Sequence, residues 1–177
     1  AGVRVINLAT LSEVRTVATP DQVYGEDLVD TLLYVAAWGQ GIRIYSIAEP
    51  DNPVEVGFFD TPDYALHVRV IPPYAYVAER GSGLLILDVS NPAAPVEVGH
   101  YDTPGLACEV RVVGDYAYVA DREGGLRIID ETDRASPTEV GSYPTQDYAL
   151  GLDVAGDYAY VGSRTSGVRI INVADRA

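Results

Sequence analysis

A glycine returns every 42 residues along this chain, and that strict period limits its fold more than any other feature. Gly41, Gly83, Gly125 and Gly167 each open a run of the form Gly-apolar-x-Ile, successive members lying 42 residues apart. Tyr34, Tyr76, Tyr118 and Tyr160 keep the same interval, as do Thr19, Thr61, Thr103 and Thr145. Self-similarity of this kind means stacked copies of one supersecondary unit, each unable to bury its apolar face alone. An earlier copy opens at Gly2, only 39 residues before Gly41, and is three residues short between Gly2 and Thr19. Units therefore start at about 2, 41, 83, 125 and 167, within one domain spanning 1–177.

Each unit contains four strand-like runs. In the third full copy, strand a is expected at 106–113, strand b at 116–120, strand c at 125–129 and strand d at 138–143. The joining segments, Gly114-Asp115, Arg122-Glu123-Gly124 and the six residues ending in Pro137, carry turn-forming residues. No segment holds an apolar i, i+3, i+4, i+7 pattern long enough for a helix. Four short antiparallel strands in about 42 residues define a propeller blade. Strand b fits a sheet packed on both faces: Tyr116 and Tyr118 point one way, Ala117 and Val119 the other. A β-solenoid is the rival architecture, with shorter coils. The expected fold is an all-β propeller of about four blades plus one surplus strand.

The runs 125–130 (Gly-Leu-Arg-Ile-Ile-Asp), 95–99 (Pro-Val-Glu-Val-Gly) and 115–121 (Asp-Tyr-Ala-Tyr-Val-Ala-Asp) resemble the LVIVD repeat family over essentially the whole chain. That resemblance implies a β-propeller in an extracellular or cell-surface protein of bacteria or archaea. It implies no catalytic residues.

Composition narrows the partners. Net charge is −14, from 26 acidic and 12 basic residues, and every basic residue is Arg. Such a surface repels a phosphate backbone and argues against nucleic acid. No run of 18 apolar residues occurs, so membrane insertion through a helix is not expected. A chain beginning at Ala1, directly on a c strand and without an initiator Met, reads as a processed or excised segment and fits secretion. Cys108 is the only cysteine. Its repeat equivalents are Leu66 and Leu150, which suits an apolar filler better than a nucleophile.

Three groups of residues are candidates for function. If strand a is innermost, the central channel is faced by Gly25, His67, Glu109 and Gly151, then by Asp27, Arg69, Arg111 and Asp153. Those charges can hold a polar ligand or neutralise one another. The turns between strands b and c place Trp38, Arg80, Arg122 and Arg164 at one repeat position, and Tyr64 and Tyr148 should adjoin them. Trp and Arg are enriched where partners bind, although each Arg could instead pair with Glu79, Asp121 or Glu123 of its own blade. The third group is the chain ends, both of which carry a c strand: Val3 and Val5 in one, Val168 and Ile170 in the other. These two strands can compete for one place in a closing blade, can belong to a longer array, or can join copies of the chain head to tail as a ring or filament.

Asp88, Asp130, Asn172, Asn7 and Ser46, at the end of strand c, read as turn formers. No catalytic motif, cofactor loop or metal-ligand spacing occurs. The expected function is a non-catalytic structural or protein-binding module whose partner is itself or another surface protein. The alternatives are a propeller enzyme acting on polysaccharide or another small polar substrate through His67, Asp27 and Asp153, and a small-ligand or metal-binding module.

Overall fold

The computed structural model describes residues 2–175, in which seventeen strands and no helix occur. An N-terminal hairpin, β1 (Gly2–Asn7) and β2 (Ser12–Ala18), precedes three four-stranded meanders. Blade I comprises β3 (Gly25–Val29), β4 (Leu32–Ala36), β5 (Ile42–Ser46) and β6 (Val54–Phe59). Blade II comprises β7 (Ala65–Ile71), β8 (Tyr74–Glu79), β9 (Gly83–Asp88) and β10 (Val96–Tyr101). Blade III comprises β11 (Glu109–Val113), β12 (Tyr116–Ala120), β13 (Leu126–Asp130) and β14 (Thr138–Tyr143). Blade IV has three strands, β15 (Ala149–Ala155), β16 (Tyr158–Ser163) and β17 (Gly167–Asn172). Every pairing is antiparallel between sequence neighbours. The first strand of each blade is innermost, since β3 packs on β7, β7 on β11 and β11 on β15.

Strand β11 begins at Glu109, three residues later than the apolar pattern from Leu106 suggests. Pro104-Gly105 starts a turn there, and the Gly105 amide is spent on the Asp121 carboxylate at 2.8 Å. Four of the five residues at the end of strand c behave as expected. Asn7, Asp88, Asp130 and Asn172 each accept a backbone amide two residues on, at 2.8 to 2.9 Å.

The periodic glycine has a steric origin. Gly41, Gly83 and Gly125 have φ of 65°, 78° and 79°, where a Cβ is strained. In each, a Cβ would also lie only 2.2 to 2.3 Å from a carbonyl oxygen of strand d, that of Phe59, Tyr101 or Tyr143. Gly167 keeps the positive φ, 77°, but nothing lies within 4 Å of its Cβ position, because blade IV has no fourth strand among the described residues. Gly57 and Gly99 mark the contact between blades: a Cβ there would strike the Pro92 or the Arg134 carbonyl of the following blade at 2.0 to 2.2 Å.

Apolar cores lie between the sheets. Tyr34, Ala36, Ile42 and Ile44 of blade I meet Val68, Val70, Ala75, Val77, Leu85 and Leu87 of blade II. Tyr76, Ala78, Leu84 and Ile86 meet blade III in the same way, and Tyr118, Ala120, Leu126 and Ile128 meet blade IV. Val3, Val5 and Val17 of the N-terminal hairpin cover Leu33, Val35 and Tyr45 on the other side of blade I. Each blade thus offers a leading face to the next blade and a trailing face to the previous one.

Candidate functional site

The inner strands of neighbouring blades are joined mainly by side chains. Asp27 Oδ2 on β3 accepts the Val70 amide of β7 at 2.7 Å, and Glu109 Oε2 on β11 accepts the Leu152 amide of β15 at 3.0 Å. Each carboxylate therefore supplies an acceptor that a backbone ladder would otherwise provide. Arg69 lies 3.5 Å from Asp27, and Arg111 spans Glu109 at 2.5 Å and Asp153 at 3.7 Å. Asp27, Arg69, Arg111 and Asp153, with His67 and Glu26, line a polar recess of about 260 Å³.

Burial first, and then the positive charges of Arg111 and Arg69 against the opposing pull of Asp27, lower the His67 pKa from 6.5 to about 4. The imidazole is therefore neutral at neutral pH, and its Nε2 lies 3.2 Å from Nη1 of Arg111. Because Arg111 can only donate, Nε2 accepts and its lone pair is occupied. The channel candidates Asp27, His67, Arg69, Glu109, Arg111 and Asp153 do converge, and in this arrangement they mainly neutralise one another.

The rim also assembles. Trp38 of blade I stacks on Tyr64 of blade II with centroids 4.2 Å apart and planes 14° apart, and on Tyr24 at 4.9 Å and 28°. The Arg80 guanidinium stands 5.8 Å from the Tyr64 ring centre, and that of Arg164 stands 5.5 Å from Tyr148. Among the described residues none of Arg80, Arg122 and Arg164 forms an ion pair with Glu79, Asp121 or Glu123. The tyrosines take the place of those acids as partners. Arg122 differs because Leu106 stands where blades II and IV have Tyr64 and Tyr148, and it lies against Cys108 instead.

Two features of the rim escape sequence reasoning. Tyr24, which completes the aromatic stack, has no equivalent at its repeat position. Trp38 and Arg122 adopt positive φ, 48° and 41°, a strained choice for side chains of that size. The strain accompanies inter-blade hydrogen bonds, since the Ala65 amide donates to the Trp38 carbonyl at 3.1 Å and Arg122 and Ala149 exchange backbone bonds at 3.1 and 3.2 Å.

Cys108 Sγ donates to the carbonyls of Ala120 and Ala149, each at 3.2 Å. Burial pushes its pKa up to about 11, against the pull of Arg122, so the group is a protonated, unreactive thiol. Among the described residues no three His, Cys, Asp or Glu side chains converge as a metal site.

The chain ends hold the largest departure from the repeat. Val168 and Ile170, at the leading positions of blade IV, are 67% and 66% exposed, whereas their equivalents in blades I to III are at most 5% exposed. Tyr160 follows the same rule at 38%, against 3% or less. At the other end Ile6, on the trailing side of β1, is 51% exposed while its equivalents Tyr45, Leu87, Ile129 and Ile171 are buried. The trailing side of blade I, on which β17 would have to pack to close a four-bladed ring, is occupied by Val3 and Val5.

Repeated meanders packed around inner strands define the chain as a β-propeller. It belongs to the LVIVD repeat family, whose model matches residues 31–61, 63–103, 104–145 and 147–177. A search of the curated proteins found no match. Among solved structures it is similar to a functionally unknown protein from Desulfotomaculum acetoxidans, with TM-score 0.80 and 14% identity, over 97% of this chain and 61% of that one. It is also similar to the β-propeller domain of Cps50 (Swd1) from Myceliophteria thermophila, with TM-score 0.79 and 14% identity, over 98% and 59%. The computationally designed Ika4 protein superposes with TM-score 0.68 at 6% identity, over 88% of this chain and 93% of that one. The chain thus spans about three fifths of the two natural propellers, and at these identities the likeness concerns fold alone.

Proposed function

We propose that this propeller is a non-catalytic structural or protein-interaction module of the extracellular space or cell surface, and that it associates with itself head to tail. The observation that carries the reading is the exposure of Val168 and Ile170, two thirds of each, at positions buried in every other blade. Two such side chains beside a strand edge that is unpaired among the described residues are an invitation to pair. The complementary surface is the trailing side of β1 with Ile6, so that one copy's blade IV meets the next copy's hairpin as consecutive blades meet within the chain. Such a contact is heterologous, and repetition gives a ring or a filament.

The channel supports the non-catalytic half of the reading, because its His67 lone pair and its carboxylates are already engaged. The family resemblance supports a location outside the cell. A second reading is favoured by the share of the natural propellers that the chain spans: further blades of the same polypeptide would cover the two faces.

Sedimentation velocity over a hundredfold concentration range separates the two readings. Self-association predicts a sedimentation coefficient that rises with concentration in the wild type and stays flat in Val168→Glu. A wild-type chain that remains monomeric throughout overturns the assembly proposal.

A further inference from the structure

Blade II carries an arginine-shaped vacancy in its side-chain pattern. In blade I, Arg43 on β5 is held by Asp60 at 3.1 Å and by Glu55 at 3.9 Å. In blade III the equivalent Arg127 is held by Glu139 at 3.3 Å and by the fully buried Asp121 at 3.7 Å. Blade II retains an acid at all three positions, Glu79, Glu97 and Asp102, but places Leu85 where the arginine belongs. The acids, Leu85, His100 and Pro62 enclose a cavity of about 130 Å³. A water molecule's share of liquid volume is about 30 Å³, so a small ion fits.

Glu79 gives the second, independent observation. It is 1% exposed, and among the described residues its Oε1 has no hydrogen-bond partner. Its counterpart Asp121 accepts the Thr103 hydroxyl at 2.6 Å and the Gly105 amide at 2.8 Å, and Arg127 stands 3.7 Å away as an ion-pair partner. In blade II the Thr61 hydroxyl donates to the Asp63 carbonyl at 2.6 Å while lying near enough to Glu79 to oppose the effect of burial on its pKa, and residue 85 offers no donor. A buried carboxyl oxygen without a donor is destabilising, and in blade III the cation beside the equivalent acid is an arginine.

We propose that this cavity binds a guanidinium group, presented by a free guanidino compound or by an arginine side chain of a second copy of this chain, at the place Arg43 and Arg127 fill in blades I and III. The planar fork matches carboxylates spread around it, as an ammonium does not. The acids do not converge as a metal site does. Burial, then the neighbouring charge of Asp63, raises the Glu79 pKa to about 8, so occupancy at pH 7 also releases a proton.

The test is an NMR titration of the folded chain with methylguanidinium chloride at constant ionic strength, with methylammonium and calcium in parallel. Saturable shifts confined to the amides of Ser82, Leu85 and Asp102, at least roughly tenfold weaker with methylammonium, are the expected result. They disappear in Glu79→Gln and in Leu85→Arg, which installs the residue of blades I and III; if one variant does not fold, the other decides. No saturable shift below about 50 mM methylguanidinium, a weaker affinity than a buried ion-pair site should give, overturns the proposal. Undiminished shifts in both variants, or a stronger response to calcium, overturn it equally. Adding unlabelled chain identifies the source: shifts at the same amides that methylguanidinium reverses assign the guanidinium to an arginine of a second copy, and their absence assigns it to a free compound.

Discussion

Ile128 and Ile170 occupy one repeat position and should differ sharply in what they contribute. Ile128 is 5% exposed and packs in the cluster formed with Leu152, Ala159, Val161 and Ile171 of the next blade. Truncation to Ala removes buried carbons and leaves a cavity, a loss of about 2–5 kcal/mol. Ile170 is 66% exposed, so only about a third of its side chain has left water. At about 1.5–3 kcal/mol for complete burial, Ile170→Ala should cost roughly 0.5–1 kcal/mol. Urea unfolding followed by circular dichroism, at concentrations low enough to keep the chain monomeric, compares the two. With m near 2 kcal/mol/M, Ile128→Ala should lower the midpoint by about 1–2.5 M and Ile170→Ala by less than about 0.5 M. Raising the protein concentration should enlarge the Ile170→Ala effect, because association stabilises only the wild type. Equal losses at low concentration would refute the reasoning, since they would mean that Ile170 is covered within its own chain.

Further outcomes follow from the site. The His67 pKa is depressed to about 4, so the unfolded chain binds a proton that the folded chain refuses between about pH 6.5 and 4. Stability should fall by about 2–3 kcal/mol as pH drops through that window, and His67→Gln should flatten the decline in acid unfolding curves. Glu79 acts in the opposite sense: its raised pKa means that its contribution, present below about pH 4.5, is lost as pH rises to about 8. Glu79→Gln should therefore reduce the alkaline slope of the same curves. Cys108 should resist iodoacetamide at pH 8 in the folded chain and react at the ordinary rate in urea, as mass spectrometry would show. Asp27→Ala deprives the Val70 amide of its acceptor and should cost about 1–3 kcal/mol in the same urea assay.

The period and the turn residues make the blades legible in the sequence, because they answer to local sterics. Gly41 and its equivalents are needed for φ and for the approach of strand d, and such constraints recur in every copy. The number of strands was equally readable, surplus c strand included. The partners of the rim arginines were not. Whether Arg80 meets an acid or a ring depends on which residue of the preceding turn lies beneath it, and Tyr64 and Leu106 at equivalent positions give different answers. Likewise Trp38 stacks on a residue of the next blade, a contact that spans a blade boundary. The cavity beside Glu79 was hidden for a related reason: Leu85 reads as an ordinary apolar strand residue until its arginine equivalents are seen holding the same acids.

Head-to-tail contact between blade IV of one copy and the hairpin of the next can be read most directly by cysteine trapping. In a background with Cys108→Leu, one preparation carries Ile170→Cys and another Ile6→Cys. Each alone, and the two mixed, are treated with a short bis-maleimide cross-linker, because faces packed in the manner of consecutive blades lie about 10 Å apart, beyond the reach of a direct disulfide. The account predicts a covalent dimer in the mixture and little in either preparation alone. Equal yields in all three samples, or no dimer in the mixture, would contradict it.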